Sequence, residues 1–208
     1  KVDFSGGMDL STLEALKRNS GSDPASKIFQ YIMEAHGLLR KIELGKIDDN
    51  SKSKPVAFAA SGICAGIGTE IGLACHRRFL SSSKNSKIGL PEILVGLFPG
   101  LGGTTRIPRM MGLMGASSIL LEGKLFAGNK AKSIGLVDEI VSEDELIQKA
   151  KNWVLSASPQ DLVKPWDQKG FKFPGGAPYH PSGFMSFVGA SALVNGTTKG
   201  LYFSAKAL

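Results

Sequence analysis

The stretch from Lys54 to Gly112 constrains this chain more than any other. Lys54 to Ala60 is a short apolar run after a polar turn, the pattern of a buried strand. Ser61 to Gly68 is punctuated by glycine, and Ile67 to Cys75 continues at helical spacing. A strand, a glycine turn and a helix in that order leave backbone N–H groups free at a helix N-terminus, where the macrodipole favours negative charge. Gly66 and Gly68 put no side chain between that backbone and a ligand, so the Ile67 N–H is open to close approach. Glu70 follows three residues after Ile67, on the same helix face. A second glutamate, Glu92, sits in Ile88-Gly89-Leu90-Pro91-Glu92, where proline stiffens the approach and glycine frees the turn. Both carboxylates are set among apolar and glycine residues, where an ionised group is costly without partners.

At 208 residues, with 42% apolar and 21% charged residues, the chain can build one large core and an appendage. It starts without methionine, at Lys1, and carries no signal-peptide pattern there. Cys64 and Cys75 have neither metal nor disulfide spacing, and a reducing cytoplasm is the simplest reading. Pro55 to Cys75 is apolar enough to raise a membrane span, but Glu70 inside it and the glycine-rich interior fit a buried strand and helix better. The net charge of +7 suits an anionic partner. Its basic residues are scattered and no RNA-binding signature is present, so a solvated basic surface, and no nucleic acid, is expected.

Other elements follow in order. Phe4 to Asp9 ends a strand in a sharp glycine turn, and a short helix from Asp9 to Arg18 is expected with Asp9 or Ser11 as its cap. Asp23-Pro24 opens a longer helix to Leu44, with Ile28, Ile32, Ala35, Leu39 and Ile42 on one face. His36 within it has no second ligand-type neighbour and reads as structural. A dinucleotide fingerprint in AGIGTEIG fails at Ile71, where the third glycine is needed. Phe79 to Ser83 and Lys87 to Gly89 are short strands, and Gly100 to Gly103 opens a helix at Thr104 or Thr105. A helix over Leu113 to Leu121, a turn over Lys124 to Ala127, a helix over Gly128 to Ile134 and a last strand over Leu136 to Val141 follow. Ser142 and Glu145 have capping-box spacing for a helix to Ala157. Pro159 to Gly183 is an extended connection, and Gly183 to Leu208 reads as a packed helix.

FSGGMDL, AGIGTE, GLPEILVGLFPGLGGTTRIPR and GLVDEIV, in this order and spacing, resemble the enoyl-CoA hydratase/isomerase (crotonase) superfamily across roughly residues 1 to 141. The run PWDQKGFKFPGG resembles the linker of multifunctional β-oxidation enzymes, the fatty oxidation complex α-subunits. The resemblance implies an α/β fold, a spiral of ββα units with an α-helical C-terminal part, and places the start of the chain after several family strands. It divides the chain into residues 1–157, the crotonase-like domain, and 158–208, a linker and helix leading towards a dehydrogenase domain not contained here.

Residue by residue, the resemblance assigns the backbone N–H groups of Met8 and Ile67 to an oxyanion hole, and Glu70 and Glu92 to the catalytic carboxylates. Ser5, Gly6, Gly7, Asp9, Gly66, Gly68, Pro91, Gly100 and Gly103 are the expected substrate-binding residues. Ile67 departs from the family's usual middle glycine: the donor survives where φ is negative, with a bulkier wall. The implied reaction is hydration of a trans-2-enoyl-CoA in fatty acid β-oxidation. The rivals are Δ3-Δ2 enoyl-CoA isomerisation on the same site, a non-catalytic assembly module, and RNA binding supported by charge alone. No metal is implied, coenzyme A is part of the substrate, and NAD enters only with a dehydrogenase domain. An acyl-CoA thioester and an oligomer, with a thiolase β-subunit as a candidate partner, complete the expectation.

Overall fold

The computed structural model describes residues 3–48, 50–177 and 179–198. Two helices come first. α1 (Leu10–Asn19) is capped by Asp9, whose carboxylate accepts the Ser11 amide. α2 (Pro24–Leu44) starts at Asp23, which accepts from Ser26, and stops at Gly45 in a left-handed conformation. Its Ile32, Ala35, Leu39 and Ile42 pack around Ala74 and Leu101, the face anticipated from spacing.

Two ββα units then follow. β1 (Ala57–Ala60), β2 (Ile63–Ala65) and α3 (Ile67–Ala74) form the first. β3 (Arg77–Ser81), β4 (Lys87–Gly89), a 3-10 turn (Glu92–Val95) and α4 (Gly103–Leu120) form the second. Next come β5 (Leu125–Ala127), α5 (Gly128–Ser133), β6 (Glu139–Val141) and α6 (Leu146–Ser156). Two further 3-10 turns (Pro159–Leu162 and Pro165–Asp167) lead to α7 (Pro181–Thr198), which rests on α4.

Corresponding strands of successive units pair. One sheet has the order β1-β3-β6, parallel throughout. The other has the order β2-β4-β5, with β2 and β4 parallel and β5 antiparallel. Because first strand meets first and second meets second, the chain advances by one strand spacing per unit and winds as a spiral. Ser5 bridges Cys64 in parallel and continues the second sheet beyond β2.

α3 is the hub. Gly68, Thr69, Glu70, Gly72, Leu73 and Ala74 are all buried, as expected of a helix enclosed on every side. Gly72 lets the Phe58 ring pack close to the helix, since a Cβ there would meet that ring at 3.1 Å, a tight contact. Phe58, Leu73, Leu80, Ile88, Leu90, Ile107, Ile119 and Leu136 fill the main core around it.

Several expected boundaries move. Lys124 to Ala127 is not simply a turn: Leu125–Ala127 forms β5 against β4, gaining ladder bonds that a three-residue segment does not advertise. The strand expected from Leu136 begins at Glu139, because Leu136 and Val137 turn into the core and Asp138 pairs with Arg78. The helices expected around Thr104 and Leu113 are both present: α4 spans Gly103–Leu120 but is broken into two helical stretches at Gly112, whose φ 77° and ψ 169° are not helical, and only the outer bounds shift by a residue. Ser142 and Glu145 make no capping box: the Ser142 hydroxyl donates to the Glu145 carboxylate and the helix begins only at Leu146. A box does form at Ser158 and Asp161, opening a 3-10 turn in the connection read as extended. Of the helix expected to run to Leu208, the part beyond residue 198 lies outside the described residues. No described helix is long and apolar enough to cross a membrane, and Pro55 to Cys75 is instead two short strands and α3.

Candidate active site

Three neighbouring parallel strand ends open onto one place. The segment through Ser5 lies beside β2, and β2 lies beside β4. Their C-terminal continuations carry Met8, Ile67 and Glu92 respectively. The carboxyl ends of parallel strands are where open α/β sheets hold ligands. The turns are tied together: Ser5 N donates to the Ile63 carbonyl at 3.0 Å, Ala65 N to the Ser5 carbonyl at 2.8 Å, and Gly66 N to the Gly89 carbonyl at 3.1 Å. Thr69 Oγ1 adds a second clasp, 3.0 Å from the Cys64 carbonyl and 2.8 Å from that of Gly89.

Within this frame the Met8 and Ile67 amides donate to no acceptor among the described residues. Ile67 is the first residue of α3, so its N–H points out of the helix N-terminus with the helix dipole behind it. The helical backbone satisfies the condition under which a donor survives the change from glycine.

Glu70 is 2% exposed. Its Oε1 accepts the Leu101 and Gly103 amides, each at 2.8 Å. Burial pushes this carboxyl above its ordinary range, while the two amides and the Arg106 charge pull the other way. Glu92 is half-buried, and its Oε2 meets no hydrogen-bond donor among the described residues. Burial pushes it up to about 7, its own backbone amide opposes the rise, and the charge of Glu70 adds to it. The two carboxyls therefore share one electrostatic neighbourhood with different fixings. Glu70 is clamped, and Glu92 is held without a partner on one oxygen.

Gly7, Gly66 and Glu92 come together: a Cβ on Gly66 would stand 3.2 Å from Glu92 Oε1 and 3.4 Å from the Gly7 Cα, while Pro91 caps the 3-10 turn that Glu92 begins. Gly68 lies under Ser5, whose Cβ would be 2.5 Å from a Cβ on residue 68. The Ser5 hydroxyl accepts the Gly7 amide at 3.1 Å, so it shapes the turn. Gly6 borders open space, and Asp9 is exposed with its carboxylate on the Ser11 amide. Gly100 and Gly103 meet Glu70's surroundings instead, Gly103 through its amide and Gly100 through a turn held by His36. His36 Nε2 donates to the Gly100 carbonyl at 2.9 Å, a structural place for that imidazole.

Sequence reading missed the Leu101 amide, Arg106, Glu43 and Lys164. Lys164 is 4% exposed and donates to the Leu73 and Cys75 carbonyls at the C-terminal end of α3. One signal was available for Glu43: it falls beside Leu39 and Ile42 on the apolar face of α2, where a carboxylate implies a buried cation.

A family model described as enoyl-CoA hydratase/isomerase matches residues 43–163. The chain belongs to the enoyl-CoA hydratase/isomerase family. The glyoxysomal fatty acid beta-oxidation multifunctional protein MFP-a of Cucumis sativus is 36% identical over 168 residues, 80% of this chain and 21% of that protein. The fatty acid oxidation complex subunit alpha of Shewanella loihica is 35% identical over 158 residues, 76% of this chain and 20% of that one. The chain thus spans about a fifth of the length of these curated relatives. An enoyl-CoA hydratase structure from Polaromonas sp. JS666 superposes with a TM-score of 0.61 at 25% identity, covering 75% of this chain and 56% of that one. The α/β spiral is accordingly of the crotonase kind.

Proposed function

We propose that this site hydrates trans-2-enoyl-CoA thioesters reversibly in fatty acid β-oxidation. The observation that carries the reading is the buried Glu92 Oε2, without a donor among the described residues, beside the turn whose Ile67 amide meets no acceptor among them. Adding water across an enoyl thioester needs a fixed water, a proton for the α-carbon and a resting place for enolate charge. Glu70, with Oε1 committed to two amides, has its second oxygen for the water. A carboxyl near 7 is populated in both protonation states at neutral pH, which suits Glu92 to deliver the α-proton.

As the water oxygen bonds to C3, the π electrons move through C2 towards the thioester oxygen, where the Met8 and Ile67 amides receive the charge. The Glu92 proton then goes to C2, and the proton lost by water returns to the carboxylate pair. Losing one such amide donor typically costs about 3 kcal/mol of barrier, so the two turns matter as much as the glutamates. The relatives' names, multifunctional protein and complex subunit, support hydration being one of several steps on a longer polypeptide within an assembly.

The test is crotonyl-CoA hydration by the whole protein, followed as loss of enoyl absorbance. Glu92→Gln is expected to lower turnover by about 10²- to 10⁴-fold with the fold intact. Unchanged turnover would remove Glu92 from the chemistry. Conversion of a 3-enoyl-CoA to its 2-enoyl isomer without hydration would replace the hydratase reading by the isomerase one.

A further inference from the structure

The turn that clamps Glu70 is itself clamped from behind. On its inner side, the Leu101 and Gly103 amides go to Glu70 Oε1. On its outer side, the Leu101 carbonyl accepts from Arg106 Nη1 at 3.0 Å, and the Gly100 carbonyl accepts from His36. Gly102 lets the guanidinium lie flat on the turn: a Cβ there, at φ +101°, would stand 2.2 Å from Arg106 Nη1.

Arg106 is 6% exposed and Glu43 3% exposed. Arg106 Nε donates to Glu43 Oε1 at 3.0 Å and Nη2 to Oε2 at 3.3 Å. Glu43 Oε2 also accepts from Arg40 Nη1 at 2.8 Å. Arg40 forks onto Asp167, Nη1 to Oδ2 at 2.8 Å and Nη2 to Oδ1 at 2.9 Å. An unbroken series of bonds thus runs from Asp167, in the segment after α6, through two arginines and a buried glutamate to the backbone that holds Glu70.

We propose that Arg106 is a positioning residue for Glu70, set by Glu43 and, through Arg40, by Asp167. The inference rests on Glu70 being one of the two carboxylates of the hydratase site. Its physical basis is the fork. One guanidinium engages a carboxylate through two nitrogens and a carbonyl through the third, in a plane that fixes the carbonyl's direction. A peptide turn held by its carbonyls keeps its amides aimed. Lysine in that place would keep the charge but lose the fork, and the turn would relax away from Glu70. The charged groups facing Glu70 are Arg106, which favours its ionised form, and Glu92, with which it shares like charge.

Two readouts in the whole protein separate positioning from mere stability. In Arg106→Lys, kcat for crotonyl-CoA is expected to fall about tenfold with KM changed less than about twofold. The Glu70 carboxyl, followed by carbon chemical shift in glutamate-labelled protein and assigned against Glu70→Gln, is expected to titrate about half a unit or more higher, having lost amide donors. Asp167→Asn, at the accessible end, is expected to move both in the same direction by less. It decides the matter if Arg106→Lys does not fold. A Glu70 midpoint that stays at the wild-type value in a folded variant overturns the inference whether or not turnover is observed. A wild type that turns over no enoyl thioester overturns the hydratase reading instead.

Discussion

Gly66 and Glu92 compete for the same few ångströms: a side chain on residue 66 would begin 3.2 Å from the glutamate's Oε1. The Gly66 backbone, at φ 56° and ψ −126°, also disfavours any L side chain. Gly66→Ala is expected to cost about 1–3 kcal/mol of stability and to lower hydration on the order of 10²-fold by shifting the carboxyl and the adjoining amide. Thermal melting and crotonyl-CoA turnover on the same preparation check both.

Glu92 predicts a pH dependence of stability. Its carboxyl is raised from an ordinary 4.5 to about 7 in the folded state. The folded chain therefore holds this proton at pH values where the unfolded chain has released it. The group's contribution to stability is complete below pH 4.5 and is lost as pH rises towards about 7. Glu92→Gln removes that loss, so its melting temperature should gain on wild type between about pH 5 and about pH 8. A constant difference across that range would mean that Glu92 is not the group holding the proton.

Much of this was legible locally. The strand, glycine turn and helix around Gly66 are written in adjacent residues, as are the Asp9 and Asp23 caps and the apolar face of α2. β5 was not, because Leu125 to Ala127 is too short to show alternation and owes its form to pairing with β4. The Ser142 and Glu145 spacing misled, because the side chains bonded each other instead of the helix amides. Arg106 and Glu43 lie 63 residues apart in sequence, and nothing local to either names the other. The second glutamate's setting was legible only in part: Pro91 and Gly89 showed a held carboxyl, but its lone buried oxygen is a product of tertiary packing.

The two cysteines give a third prediction. Burial pushes the Cys64 thiol up to about 12 and the Cys75 thiol up to about 11. Both are free and buried, so neither thiolate is available near neutral pH. An aromatic disulfide reagent at about pH 7.5 should leave both unmodified in the native protein and titrate both in denaturant. Rapid native labelling of either would contradict that packing.

Lys164 secures the far end of α3. Its ammonium donates to the Leu73 and Cys75 carbonyls, where a helix C-terminus favours positive charge. Lys164→Met leaves those carbonyls without that donor and should lower stability by about 1–3 kcal/mol in denaturant titration. Unchanged stability would show that methionine packing replaces what the ammonium supplies.

Whether the two glutamates work on one bound thioester is tested most directly by kcat/KM for crotonyl-CoA in the wild type, Glu70→Gln, Glu92→Gln and the double variant. Each single change is expected to cost about 10³-fold, with the double variant no worse than the poorer single one, because two groups serving one transition state fail together. A single variant at the wild-type rate, or losses that multiply in the double, would contradict a shared site.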